Sequence, residues 1–318
     1  MILTKRRPRA FFTTHRVADR LAPQMRQAFL RALMESRSLV GPTVTEAWPK
    51  GPDAVFQRIP WMDLQIHWMR GFAVALLATL RASLKAHTPE LSVEKQREPI
   101  ARLGFSLDLN NPRAIKWAQE HAADLVVGLS EESKAATREL IARMFTEGID
   151  PRTATRMLRD RLGLTPRDAQ AVANLERALR LESAQRLVDG KKPIAEDRIA
   201  EQTERLANRY LRHRAEVIVR TESMTASNQG QQELWNQAQD QGFIQEGEAK
   251  RAWILTPDER LCPICEPMAA DDKLVGMNEP FVLGDGLPYM NPPPHPQCRC
   301  AVGLVFPDED GQFHHPQA

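Results

Sequence analysis

The sequence predicts a mainly α fold: a multi-helical body carrying a small C-terminal α+β module, with short strands stapled by a Cys/His cluster. Apolar residues recur at helical spacing through most of residues 1–241, the mark of helices with one buried face. Prolines and glycines fall between these stretches, several where helices start or stop. Beyond Gly242 come short alternating runs, dense Pro and Gly, and all four cysteines of the chain.

In chain order, Val17 to Met34 reads as a helix, with Leu21, Met25, Ala28, Phe29 and Leu33 near helical spacing. Gly41-Pro42, Pro49, Gly51-Pro52 and Pro60 then punctuate an irregular linker. Trp61 to His87 is helical again, and its Trp61, Trp68 and Phe72 form a packing stripe. A break over 88–113 holds Pro89, Pro99 and the Asn110-Asn111-Pro112 turn. Pro112 starts a helix carrying Ile115, Trp117, Ala118, His121 and Leu125. Ser130-Glu131-Glu132 offers a cap and acids for a further helix, ending near Gly148.

Asp150-Pro151 sets a capping residue beside an N1 proline and opens a short helix to Leu162. Gly163 stops it, and Thr165-Pro166-Arg167-Asp168 resembles a capping box that launches a helix to about Val188. After Gly190-Lys191-Lys192-Pro193 a long helix, polar on one face, runs from about Ile194 to Gln241. Arg251–Thr256, Phe281–Leu283 and Ala301–Phe306 read as short strands of a module with few apolar residues of its own. Pro307 to Ala318, with His314 and His315, reads as a solvated tail. The expected domains are therefore an N-terminal helical and irregular region over 1–106 that can order on a partner, a helical body over 107–241, the Cys/His module over 242–306 and the tail over 307–318.

Bulk composition narrows the function classes. Hydrophobic residues make up 42% of the 318, enough for a core. Lys+Arg of 43 against Asp+Glu of 41 leaves +2, which speaks against a dedicated nucleic-acid binder. The most basic stretch, Lys5-Arg6-Arg7-Pro8-Arg9, reads as a solvated arm. The most apolar helical run, Gly71 to Leu80, is too short for a bilayer, which needs about 20 residues. No secretory signal is read at the N-terminus. The expected compartment is the reducing cytoplasm, where clustered cysteines favour metal over disulfides.

The cysteines lie in Cys262-Pro263-Ile264-Cys265 and Cys298-Arg299-Cys300, with 32 residues between the pairs and His295 just upstream of the second. Zinc takes four N/S donors in a tetrahedron, and here five candidates compete for four places. One set is Cys262, Cys265, His295 and Cys298 with Cys300 spare; the other keeps all four cysteines and leaves His295 to hydrogen-bond them. A structural zinc would act directly as folding free energy for this module. A catalytic site would need an open position and a base, for which Asp258, Glu259 and Glu266 lie near the first pair. The deaminase pattern and His-Glu-x-x-His are both absent. No catalytic residue is assigned, and the expectation is a protein that is not an enzyme.

Three stretches together resemble the phage head morphogenesis family typified by the Mu F-like minor head proteins. They are Arg214-Ala215-Glu216-Val217-Ile218-Val219-Arg220-Thr221-Glu222 with Ala226, Asn228 and Gly230; Trp253 through Asp258-Glu259-Arg260-Leu261 to Cys265; and Pro292-Pro293-Pro294-His295-Pro296-Gln297-Cys298-Arg299-Cys300. With Asn111-Pro112 and Trp117 upstream, the resemblance covers about residues 107–306. It implies a minor head protein of a tailed phage or prophage, made in the host cytoplasm and located in the virion at the head interior or portal vertex. The implied partners are the portal protein, other head or scaffold proteins, and packaged DNA, with no membrane.

Within that picture, Arg220 or Glu222 is expected to pack against the 251–300 module. The competing readings are a metal-dependent nuclease, an ADP-ribosyltransferase-like enzyme using Gln231-Gln232-Glu233, and a DNA-binding module using the 1–30 arm or the 148–168 helix-turn-helix.

Overall fold

The computed structural model describes residues 8–95, 105–256, 261–269 and 273–317. It is mainly helical, with short antiparallel strands near the Cys/His cluster. The helices are α1 (Arg9–Ser36), α2 (Pro42–Ala47), α3 (Pro52–Arg58), α4 (Trp61–Lys95), α5 (Pro112–Thr146), α6 (Pro151–Arg161), α7 (Pro166–Val188) and α8 (Glu196–Asp240). The strands are β1 (Lys250–Ile254), β2 (Phe281–Val282), β3 (Pro288–Tyr289) and β4 (Ala301–Val305). Compactness divides the chain into two units, one of residues 1–25, 73–119 and 217–318, the other of 26–72 and 120–216.

Local capping chemistry sets several helix starts. The Asp150 carboxylate accepts the Arg152 and Thr153 amides, and Thr165 Oγ1 accepts the Asp168 amide, each ahead of a proline at N1. Ser130, by contrast, begins no helix: α5 runs unbroken past it, and its buried hydroxyl accepts a bond from Gln65 Nε2 at 2.9 Å. A tertiary partner has replaced the backbone amide that a cap would serve. Likewise α4 continues through Pro89 instead of ending at His87. Leu84, His87, Glu90 and Leu91 are all buried there. His87 Nδ1 lies 2.8 Å from Glu90 Oε2, Thr14 Oγ1 lies 3.2 Å from His87 Nε2, and Thr13 donates to Glu90. These contacts outweigh the roughly 3 kcal/mol penalty of an interior proline.

In the unit of residues 26–72 and 120–216, Phe29 stacks on Phe72 with centroids 4.7 Å apart, and the Trp68 indole donates to Ser36 Oγ at 3.0 Å. Arg161, buried at the end of α6, pairs with buried Glu176 of α7 at 2.6 Å.

The other unit contains the Cys/His module, whose few apolar residues join a core shared with the helices. Trp253, Met268, Met277 and Phe281 share one buried cluster with Leu80, Leu84 and Leu91 of α4 and Leu234 and Trp235 of α8. β1 pairs antiparallel with β4, Lys250 opposite Val305 and Ile254 opposite Ala301; β2 pairs with β3, which no sequence pattern announced. The tail expectation holds for residues 307–312 and His314, which are exposed, but not for its end. His315 and Gln317 are buried, His315 Nε2 lies 3.2 Å from Trp253 O, and the Gln317 amide both accepts the Leu255 N–H (2.7 Å) and donates to its carbonyl (2.9 Å).

The polar face of α8 is turned inward over much of its second half, where Ser227, Asn228, Gln231, Gln232, Glu233 and Gln237 are all buried. Its side chains serve the backbone of neighbouring segments. Gln237 accepts the Asp108 N–H and donates to the Asp108 carbonyl, both at 2.9 Å. Gln241 does the same with Ser106, also at 2.9 Å. Between and beyond them Phe105, Leu107 and Leu109 pack on the core. Gly230 allows α8 to lie against α4: a Cβ there would overlap the Leu80 carbonyl oxygen and approach Ser83 Cβ to 2.7 Å.

Candidate metal centre

Two turns deliver the donors. In the first, Cys262 O accepts the amides of Cys265 (3.1 Å) and Glu266 (3.0 Å), folding Cys262 and Cys265 toward each other. Gly284 braces this turn, donating to Ile264 O at 2.9 Å, in a space where a Cβ would sit 2.9 Å from Pro263 O. In the second, Cys298 N donates to His295 O at 3.2 Å, and Gln297 adopts φ 62°. A non-glycine residue in that left-handed region costs on the order of 1 kcal/mol or more.

Helix α8 holds the second turn from both sides. Asn228 Nδ2 donates to Pro292 O (3.1 Å) while its Oδ1 accepts the Val302 N–H (3.0 Å). Thr221 Oγ1 accepts the Gln297 N–H at 3.1 Å. Thr221 of the Arg220-Thr221-Glu222 run thus has a hydrogen bond to this loop. The small polar residues Thr221, Ser223, Ser227 and Asn228 on this helix are the sequence signal for such contacts.

All five sequence-predicted donors lie in this region. Cys262, Cys265 and His295 have donor atoms within 4.8 Å of one another, as do Cys265, Cys298 and Cys300, so Cys265 belongs to both trios. His295 Nε2 is 2.9 Å from Cys262 Sγ and 4.0 Å from Cys265 Sγ; Cys265 Sγ is 3.9 Å from Cys298 Sγ. A tetrahedral ion with bonds of about 2.3 Å sets its donors about 3.8 Å apart, so the last two spacings suit one. His295 Nδ1 is 3.0 Å from Pro296 O. A carbonyl only accepts, so Nδ1 is the donor in this contact, and Nε2 is the ring nitrogen that faces the sulfurs. This is the arrangement that orients a metal-binding histidine. Cys298 Sγ accepts the Cys300 N–H at 3.4 Å.

Cys265, Cys298 and Cys300 are buried and Cys262 is half-buried, all as free cysteines. Their hydrogen bonds to one another separate their acidities. Cys265 is raised, first by its bond with Cys298 and then by that with Cys300. Cys298 is pushed up to about 12: the bond from Cys265 lowers it, but the bond to Cys300 and burial prevail. Cys300 falls well below the usual thiol range because the Cys265 and Cys298 thiols donate to it. The soft, largely buried donor set fits a metal ion.

Other residues singled out by sequence behave differently. Asp258 and Glu259 lie outside the described residues, as does Lys5-Arg6-Arg7 of the basic arm; Glu266 is exposed in the turn after Cys265. Gln231, Gln232 and Glu233 are buried, and two have structural partners. Glu233 receives Arg113 at 3.1 and 3.3 Å, and Gln232 Oε1 receives Nη1 of Arg251 at 2.9 Å. Arg251, fully buried in β1, also donates to the carbonyls of Gly276, Glu279 and Met290, and burial lowers its pKa to about 10. No helix among the described residues is long and apolar enough to cross a membrane.

No curated protein and no solved structure gives a significant match to the chain. Residues 181–303, from the end of α7 through α8 and the Cys/His module into β4, match the family model described as phage Mu protein F like protein, which supports the phage head morphogenesis family and a phage head-related role.

Proposed function

We propose that the protein is a minor head protein of a tailed phage or prophage that associates with the portal inside the procapsid. Its role is structural rather than enzymatic, and its site is the virion. The observation that carries this reading is the family match over 181–303, the same stretch that holds α8 and both cysteine turns. The inward-facing polar side chains of α8 support it, because Gln231, Gln232 and Glu233 are buried and Gln232 and Glu233 hold neighbouring segments. Contact with packaged DNA is a secondary role in the same reading.

Within it, residues 242–306 act as a module closed by one structural zinc ion, and 107–241 as the helical body. Cys262, Cys265, His295 and Cys298 are the ligands, with Cys300 as the adjoining spare sulfur. Bound there, zinc would lock the two turns together and contribute its binding energy to folding.

The test is co-expression with the cognate portal protein, followed by affinity capture and size-exclusion with light scattering. A complex of defined stoichiometry is expected. A well-folded protein that leaves the portal free at every concentration tried overturns the portal assignment.

A further inference from the structure

Positive charge is not spread evenly along the chain. Residues 1–34 hold eight Lys and Arg against one acid, Asp19, which leaves 35 against 40 over residues 35–318. A chain that is +2 as a whole thus carries all of its basic excess at one end. Three of the eight are Lys5, Arg6 and Arg7; the other five, Arg9, Arg16, Arg20, Arg26 and Arg31, are exposed on α1.

Arg9, Arg16 and Arg20 form a line. At 3.6 residues per turn they fall within about 40° of one another over about 17 Å of axis, with Asp19 about 60° or more to one side. The Arg9 side chain is 64% exposed, its Nε 3.9 Å from an oxygen of buried Glu90. Among the described residues Arg16 and Arg20 have no ion-pair partner. The opposite face of α1 is committed to the core, with Phe11, Val17, Ala18 and Met25 buried. Phe12 is the one large apolar side chain exposed between Arg9 and Met25.

Resting on the DNA contact of the proposed function, we propose that this face of α1 is where it occurs, binding the phosphate backbone of duplex DNA without reading sequence. Guanidinium groups take phosphate oxygens in a bidentate fork. A duplex presents one charge per about 1.7 Å of its axis, so a line of cations finds partners in any register. A lipid surface fits less well, because the apolar side of α1 is buried and has nothing to insert. A protein partner fits less well too, because such an interface is built around a buried apolar centre and only Phe12 is on offer. The acidic balance of residues 35–318 opposes wrapping, so the contact is one-sided and salt-sensitive.

Fluorescence anisotropy of the full chain with a labelled mixed-sequence duplex of about 30 bp, over about 50–200 mM salt, tests this. Wild-type binding is expected to weaken steeply with salt. The double change Arg16→Gln with Arg20→Gln is expected to lower the slope of log K against log salt by about 1.8, at about 0.9 per lost phosphate contact. Arg152→Gln with Arg159→Gln removes the same charge from exposed positions of α6 and is expected to leave the slope nearly unchanged. All four side chains are exposed, so both variants should melt with the wild type. A wild type that leaves the duplex free, whether or not it takes up phosphatidylserine vesicles, overturns the proposal and the DNA contact with it. A wild type that binds DNA with a slope unmoved by the α1 pair, or lowered equally by both pairs, overturns the placement on α1 alone.

Discussion

Replacing Gly230 by alanine should destabilise the protein, although the same change in the middle of a helix ordinarily stabilises it. Glycine costs about 1 kcal/mol relative to alanine in a helix interior. Against that gain stands the space between α8 and α4, where the new Cβ would overlap the Leu80 carbonyl oxygen and come within 2.7 Å of Ser83 Cβ. Neither neighbour is the free end of a flexible side chain, so the helices must part. Ser83 Oγ is itself committed to Ser227 O at 2.5 Å. Overpacking of this kind costs about 1–3 kcal/mol, and a backbone obstacle favours the upper end. The net is a loss of about 2 kcal/mol, or about 4–8 °C in the midpoint of thermal unfolding for a unit of this size. Gly128 of α5 is the internal control: it is exposed with nothing near its missing Cβ, so Gly128→Ala should gain about 0.5–1 kcal/mol. Both are read by denaturant and thermal melts. Equal stabilisation in the two variants would refute the close α4–α8 approach.

Purified protein should carry one zinc per chain by elemental analysis, and strong chelation or Cys262→Ser should lower its melting midpoint while Cys300→Ser retains the metal. Asp150→Ala should cost about 1 kcal/mol near neutral pH through loss of the α6 cap. Hydrogen bonds from Thr153, then Arg152, lower the Asp150 pKa, so this contribution is present above the unfolded carboxylate value near 4 and disappears as pH falls through the lower folded value. A stability difference between wild type and Asp150→Ala that persists in strong acid would contradict the assignment. Gln317→Ala should leave both backbone groups of Leu255 unpaired and speed exchange of its amide by about tenfold, corresponding to about 1.4 kcal/mol. Unchanged exchange would mean that the C-terminal segment does not guard that strand end.

What the sequence made legible depended on how local the cause was. The α6 and α7 starts were readable because Asp150 and Thr165 cap amides two or three residues away. Ser130 carries the same local signature, yet its hydroxyl answers to Gln65, distant in sequence, and the helix runs through. Pro89 signals a break that buried His87 and Glu90 override. The five donors of the candidate metal centre stand out by residue type, whereas Thr221 and Asn228 belong to a stretch that carries the family resemblance but give no local sign that they hold its second turn. Gln317 was equally silent: a glutamine near a chain end reads as solvated until a partner backbone is known.

The glutamines on α8 carry a last implication, about measure. Gln237 and Gln241 are one helical step of four residues apart, about 6 Å along the axis. The residues they clasp, Asp108 and Ser106, are two apart in an extended run, about 6.6 Å. Helix and strand are therefore nearly commensurate here, and the helix does the work of a neighbouring strand with side-chain amides in place of peptide groups. Such a clasp reads only the main chain, so by itself it would accept residues 105–110 slid by two positions. Placement is left to Phe105, Leu107 and Leu109. Chains that vary the polar residues of this run freely but keep its apolar alternation would preserve the joint, whereas a one-residue insertion would turn every one of those side chains outward.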